Sequence, residues 1–88
     1  MDFLLFTYPN CSKCEDMKTA LREAAITAET QDVADKEGRI RIRAFLPQIK
    51  RDAQGAIILP TLVCRDGDRV EAVLNTREEL AAWLQSRD

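Results

Sequence analysis

The chain predicts an α/β domain in which short strands and helices alternate, and three observations carry that expectation. A continuous apolar run, Phe3-Leu4-Leu5-Phe6, opens the sequence in the manner of a strand buried on both faces. Apolar residues then recur at helical spacing beyond position 14, and an Asp-Gly pair at 66–67 separates two β-type runs as a hairpin turn does. With 88 residues there is room for one domain spanning 1–88, a limited core and short loops.

The elements follow in chain order. The first strand extends from Phe3 to Tyr8, and Pro9-Asn10 turn the chain towards Cys11. From Cys14 to Ala25 a helix turns Met17, Ala20, Leu21 and Ala24 inward, with Glu15, Asp16, Lys18, Arg22 and Glu23 on the opposite face. Ile26 to Val33 reads as a second strand, and Asp35-Lys36-Glu37 as a helix start on the surface. Arg39-Ile40-Arg41-Ile42-Arg43 alternates with a strand-like period of two, yet Ile42, Leu46 and Ile49 recur at i, i+4 and i+7. Helix is expected here, broken or restarted at Pro47, with the arginines forming a solvated face.

Pro60 interrupts the apolar run from Ala56 to Cys64 and removes a ladder donor. Either the strand begins after Pro60, or the Leu59-Pro60 bond is cis. Arg65-Asp66-Gly67-Asp68 forms the hairpin turn, and Arg69 to Leu74 the returning strand. Thr76-Arg77-Glu78-Glu79 reads as a capping box that opens a last helix, whose Leu80, Trp83 and Leu84 face the core. The order is therefore β-α-β-α-β-β-α.

Composition narrows the function. Thirteen cations and fifteen acids are mixed along the chain, which argues against nucleic acid or an anionic membrane as the main partner. No apolar stretch approaches membrane-spanning length, and Met1-Asp2 do not begin a secretory signal, so a cytoplasmic location is expected. The absence of histidine removes Ser-His-Asp and Cys-His catalysis along with histidine zinc motifs. Three cysteines cannot all pair within one molecule and cannot close a four-thiolate zinc site; no metal is expected.

Cys11-Ser12-Lys13-Cys14 carries the chemistry. One helical turn brings two such sulfurs within bonding distance, and the helix N-terminus favours the first as a thiolate, the form that attacks disulfides. Lys13, between them, adds a cation beside the sulfurs or simply faces solvent. Cys64 ends an apolar strand and reads as a small core hydrophobe.

Tyr8-Pro9-Asn10-Cys11-Ser12-Lys13-Cys14, Leu59-Pro60-Thr61-Leu62 and the element order together resemble the thioredoxin superfamily, and the short opening most resembles a glutaredoxin. The resemblance covers nearly the whole chain. It implies a thioredoxin-like, glutaredoxin-type fold: a four-stranded mixed sheet in the order 2-1-3-4, with helices on both faces. It further implies that Cys11 attacks and Cys14 resolves, and that Pro60 lies against the pair and presents backbone to an extended substrate. Tyr8, Lys13, Leu59 and Pro60 are the substrate-binding residues on this pattern. Two departures weigh against glutathione. Tyr8 stands near where glutaredoxins carry a basic residue, and Glu71-Ala72-Val73-Leu74-Asn75-Thr76 lacks their Gly-Gly step. The tryptophan and Gly-Pro core of thioredoxin are also missing.

The expected activity is reduction of protein disulfides through a Cys11–Cys14 couple and a mixed-disulfide intermediate, with no required cofactor. The expected partners are a disulfide-containing protein and a thiol reductant (a thioredoxin-reductase-like protein or glutathione), with the chain itself a monomer. Two alternatives are a glutathione-dependent reductase of mixed disulfides and an iron–sulfur carrier using Cys11 of two subunits. The Cys-Ser-Lys-Cys run also resembles the opening of arsenate-reductase-like proteins, which are longer and carry arginine where Leu59 stands.

Overall fold

The computed structural model describes residues 1–87. Its elements are β1 (Asp2–Thr7), α1 (Ser12–Glu23), β2 (Glu29–Asp32), α2 (Lys36–Arg43), β3 (Thr61–Asp66), β4 (Arg69–Leu74) and α3 (Arg77–Ser86). The strands form one sheet in the order β2-β1-β3-β4, with β1 parallel to β2 and antiparallel to β3, and β3 antiparallel to β4.

Burial explains why β1 reads as an unbroken apolar run. Leu4, Leu5, Phe6 and Thr7 are all buried. Leu5 joins Met17, Leu21, Leu62, Cys64, Leu74 and Leu80 in a cluster beneath α1 and α3. Leu4 and Phe6 join Ile42, Phe45, Ile49 and Val63 beneath α2 and the turns that follow it. Covered on both sides, β1 has no polar face to alternate with, so its pattern is continuous. Trp83 packs edge-to-face on Phe3 at 6.0 Å between ring centroids, on the inner side of α3 as expected.

Local chemistry sets the ends of the helices. After α1, Ala25 N–H donates to Arg22 O and Ile26 N–H to Leu21 O, and Ala25 takes the left-handed backbone at φ 58°. This closing motif normally employs glycine. It consumes Ile26, which packs beside Leu21, so β2 starts later than the apolar pattern suggests and is only four residues long. At α3, Thr76 Oγ1 accepts from Glu79 N–H while Glu79 Oε1 accepts from Thr76 N–H, the expected capping box.

The arginine-rich stretch is helical, but it ends at Arg43 and does not restart at Pro47. Turns held by Phe45 O, which accepts from both Gln48 and Ile49 N–H, carry Phe45 and Ile49 into the core. The i, i+4, i+7 pattern thus records burial through a helix end and a turn. Gly38 lies inside α2 because the helix sits directly on the end of β2. A Cβ at that position would overlap the Asp32 carbonyl oxygen and stand 3.1 Å from Val33 N. Of the two sequence options at Pro60, both hold: β3 starts at Thr61, and the Leu59-Pro60 peptide is cis.

Candidate active site

The strand register gathers four chain segments at one end of the sheet. Thr7 pairs with Asp32, Phe6 with Thr61, and Leu62 with Leu74. The exits of β1, β2 and β4 therefore lie beside the entry of β3. The segments 8–11, 33–35 and 75–76 leave the sheet there, and 59–60 enters it.

Cys11 and Cys14 are joined by a disulfide, with their Cα atoms 5.2 Å apart. Cys11 is the N-cap of α1, in extended conformation, and its Sγ accepts from Cys14 N–H at 3.1 Å. Asn10 before it takes φ 58°, a left-handed conformation asparagine tolerates better than most residues. That turn reverses the chain from β1 into α1. Cys14 is 1% exposed, whereas Cys11 is only half-buried. The sulfur within reach of an incoming group is thus the one at the helix N-terminus, where free N–H groups favour negative charge.

The other residues singled out from sequence take distinct positions. Tyr8 is 58% exposed on the turn between β1 and Cys11. Lys13 is exposed in the first turn of α1 and lines a shallow groove of about 170 Å³ with Asp16 and residues 75–78. Leu59 is half-buried against the cluster containing Leu4 and Phe6. Pro60 is fully buried. Leu59 and Pro60 reach the disulfide end of the sheet through the Phe6–Thr61 pairing, not through proximity in sequence.

Sequence reasoning missed Asn75. Its side chain is 5% exposed, and its Nδ2 donates to Pro60 O at 2.9 Å, Ile58 O at 3.1 Å and Thr61 Oγ1 at 3.3 Å. Thr61 Oγ1 in turn donates to Ile58 O at 2.6 Å. The amide therefore holds the segment entering β3 to the residue leaving β4. Pro60 O is consequently occupied internally, while the Leu59 N–H and C=O make no hydrogen bond among the described residues. A polar residue directly before a capping box was the available signal; nothing in the spacing pointed to a bond across the sheet end.

Glu79 reinforces the same corner. Its carboxylate accepts from Lys50 Nζ at 2.8 Å and from the backbone N–H groups of Asn75 at 2.7 Å and Thr76 at 3.1 Å. The Lys50 hydrogen bond, followed by that from Asn75, holds its carboxyl below the usual carboxylate range. Cys64 is buried, and burial pushes its thiol up to about 12, so it stays a neutral core residue.

Neither protein-family models nor curated proteins give a match to this chain. What stands is an α/β protein with a four-stranded mixed sheet and three helices among its described residues, carrying at a helix start a Cys11–Cys14 disulfide whose spacing fits a redox-active Cys-x-x-Cys motif. No helix among those residues is long and apolar enough to cross a membrane.

Proposed function

We propose that the chain is a dithiol–disulfide oxidoreductase of thioredoxin-like, glutaredoxin-type fold that reduces protein disulfides. The observation that carries this reading is the asymmetry of the sulfur pair: Cys11 is accessible at the N-cap of α1 and accepts a backbone hydrogen bond, while Cys14 is buried one turn behind it.

In the reduced protein the Cys11 thiolate attacks one sulfur of a substrate disulfide. The substrate S–S bond breaks, one substrate sulfur leaves as a thiolate that takes up a proton, and a mixed disulfide links Cys11 to the substrate. Cys14, losing its proton, then attacks Cys11 Sγ and expels the second substrate sulfur. Two electrons have moved to the substrate, and the protein holds the Cys11–Cys14 disulfide until an external thiol reductant reopens it. The unpaired backbone groups of Leu59 suit an extended substrate segment adding alongside. Tyr8 and Lys13 flank the accessible sulfur, and Pro60 fixes the segment that offers Leu59.

The test is reduction of insulin disulfides with dithiothreitol as donor. Cys11→Ser is expected to lose all activity. Cys14→Ser, reduced beforehand and mixed with insulin after the dithiothreitol is removed, is expected to retain the first step and accumulate a mixed disulfide visible by mass. A Cys11→Ser protein as active as wild type refutes the proposal.

A further inference from the structure

The charges of the chain are not evenly placed. Between positions 36 and 51 six cations (Lys36, Arg39, Arg41, Arg43, Lys50, Arg51) accompany one acid, Glu37, which leaves seven cations against fourteen acids elsewhere. Two of the six are neutralised within the fold, Arg41 by Glu29 at 2.8 Å and Lys50 by Glu79 at 2.8 Å. Arg51 and Arg39 donate to the carbonyls of Gly55 and Ala34, which orders these side chains without cancelling their charge. Lys36 and Arg43 make no ion pair among the described residues.

Helical spacing concentrates this charge. Lys36, Arg39, Ile40 and Arg43 occupy i, i+3, i+4 and i+7, hence one face of α2, and all four are exposed. They lie opposite the side that buries Gly38 and Ile42. Ile40 is 51% exposed in the middle of this face and contributes to neither core cluster. An aliphatic side chain ringed by long cations matches the composition of protein-binding surfaces, where apolar contact and arginine combine.

The position of the face links it to the sulfur pair. Val33 N–H donates to Thr7 O at 2.9 Å, so α2 begins at the sheet end where the segment to Cys11 also begins. Lys36 is the first residue of α2, and the eight-residue helix extends roughly 12 Å from it. That reach falls within the footprint of a single protein partner and near one screening length at moderate salt.

We propose that the Lys36–Arg39–Ile40–Arg43 face docks the acidic surface of the protein whose disulfide Cys11 exchanges with. The proposal rests on the dithiol reading above and adds the substrate class: disulfides flanked by aspartate and glutamate. Charge complementarity favours a protein over a polyanion. The predominantly acidic remainder of the chain repels an extended nucleic acid or an anionic bilayer, while a compact acidic patch beside a disulfide meets a helix on which the cations outnumber Asp35 and Glu37.

The experiment uses three synthetic peptides, each closed by one disulfide, with acidic, neutral or lysine-rich flanks. Second-order rates of reduction by the reduced protein are measured at low salt and at 0.5 M salt. The expected result is that the acidic peptide reacts about tenfold faster than the lysine-rich one at low salt, with the difference collapsing at high salt. Lys36→Glu/Arg43→Glu is expected to reverse the order while leaving the neutral-peptide rate unchanged; Lys36→Gln/Arg43→Gln falls between. Equal rates for the acidic and lysine-rich peptides, or an acidic preference that survives the charge reversal, overturn the docking face without touching the dithiol reading. Suppression of acidic-peptide reduction by an oligonucleotide or phosphatidylserine vesicles, at charge concentrations where polyglutamate has no effect, also overturns it. Failure of wild type on all three peptides removes the dithiol reading itself.

Discussion

Replacing Asn75 with alanine tests whether the end of the sheet is held by one amide. Its Nδ2 carries two protons and meets three acceptors, so about two full hydrogen bonds are at stake. Ile58 O keeps the Thr61 hydroxyl at 2.6 Å, and its loss is partial. Pro60 O loses a buried donor at 2.9 Å, a change that costs about 1–3 kcal/mol. In the other direction, Asn75 Oδ1 is itself buried without a partner, and alanine relieves that penalty. The balance is a loss of about 2 kcal/mol, which for a domain this small lowers the melting temperature by roughly 10 °C. Asn75→Asp keeps the volume but turns an acceptor towards the carbonyls of Ile58 and Pro60. It is expected to cost more than alanine at neutral pH, about 4 kcal/mol, and to recover as the carboxylate protonates. Equilibrium urea denaturation of the oxidised proteins measures both. An alanine variant within about 0.5 kcal/mol of wild type, or an aspartate variant no worse than alanine, refutes the argument, since either result means the amide holds nothing.

Three further substitutions probe the frame around the site. Gly38→Ala, which in an open helix gains up to about 1 kcal/mol, is expected to lose about 2 kcal/mol here, because the new Cβ meets the Asp32 carbonyl and α2 must lift from β2; urea denaturation reads the sign. Ala25→Gly is expected to gain about 0.5 kcal/mol in the same assay, the relief of a left-handed alanine outweighing the added freedom of the unfolded chain. For Glu79 the folded carboxyl titrates below its ordinary value of 4.5, so its contribution is present above that value and is lost as pH falls through the lower folded one. Glu79→Gln is expected to lose about 1 kcal/mol at neutral pH and to show a flatter acid limb in a pH series of melting temperatures than wild type. Parallel acid limbs contradict the assignment.

The elements most legible in the sequence are those whose signals are local. The run in β1 follows from its burial on both faces, the presence of the hairpin from its Gly-containing turn (though Asp66 pairs with Arg69 in the strands and the loop itself is Gly67-Asp68, one residue later than the Asp-Gly signal implied), and the start of α3 from Thr76 and Glu79. The Cys11-x-x-Cys14 unit is likewise local, since one helical turn defines it. What escaped depends on contacts between distant segments. β2 is shorter than its apolar pattern because closing α1 takes Ile26. Ile49 reaches the core from a turn, which a periodic pattern cannot distinguish from a longer helix. Asn75 acts across a sequence separation of 14 to 17 residues, through a strand register that no local rule specifies.

Burial and hydrogen bonding at the sulfur pair also order the events of the proposed cycle. Any incoming thiol meets Cys11 first, because Cys14 is closed off beneath it. The Cys14 N–H that favours negative charge on Cys11 makes it a ready attacking group when the protein is reduced. The same bond makes Cys11 a good leaving group when the substrate's own freed thiolate attacks the substrate sulfur of the mixed disulfide, which re-forms the substrate disulfide and returns the protein to its dithiol state. Productive turnover of the proposed cycle therefore requires the freed substrate sulfur to be kept away until Cys14 attacks Cys11. In that proposed cycle the orientation of the substrate would fall to surfaces at the same end of the sheet, the free backbone of Leu59 and the cationic face of α2. Under the proposed function, selectivity among substrates would reside in those surfaces, while the sulfur pair would supply reactivity common to all of them.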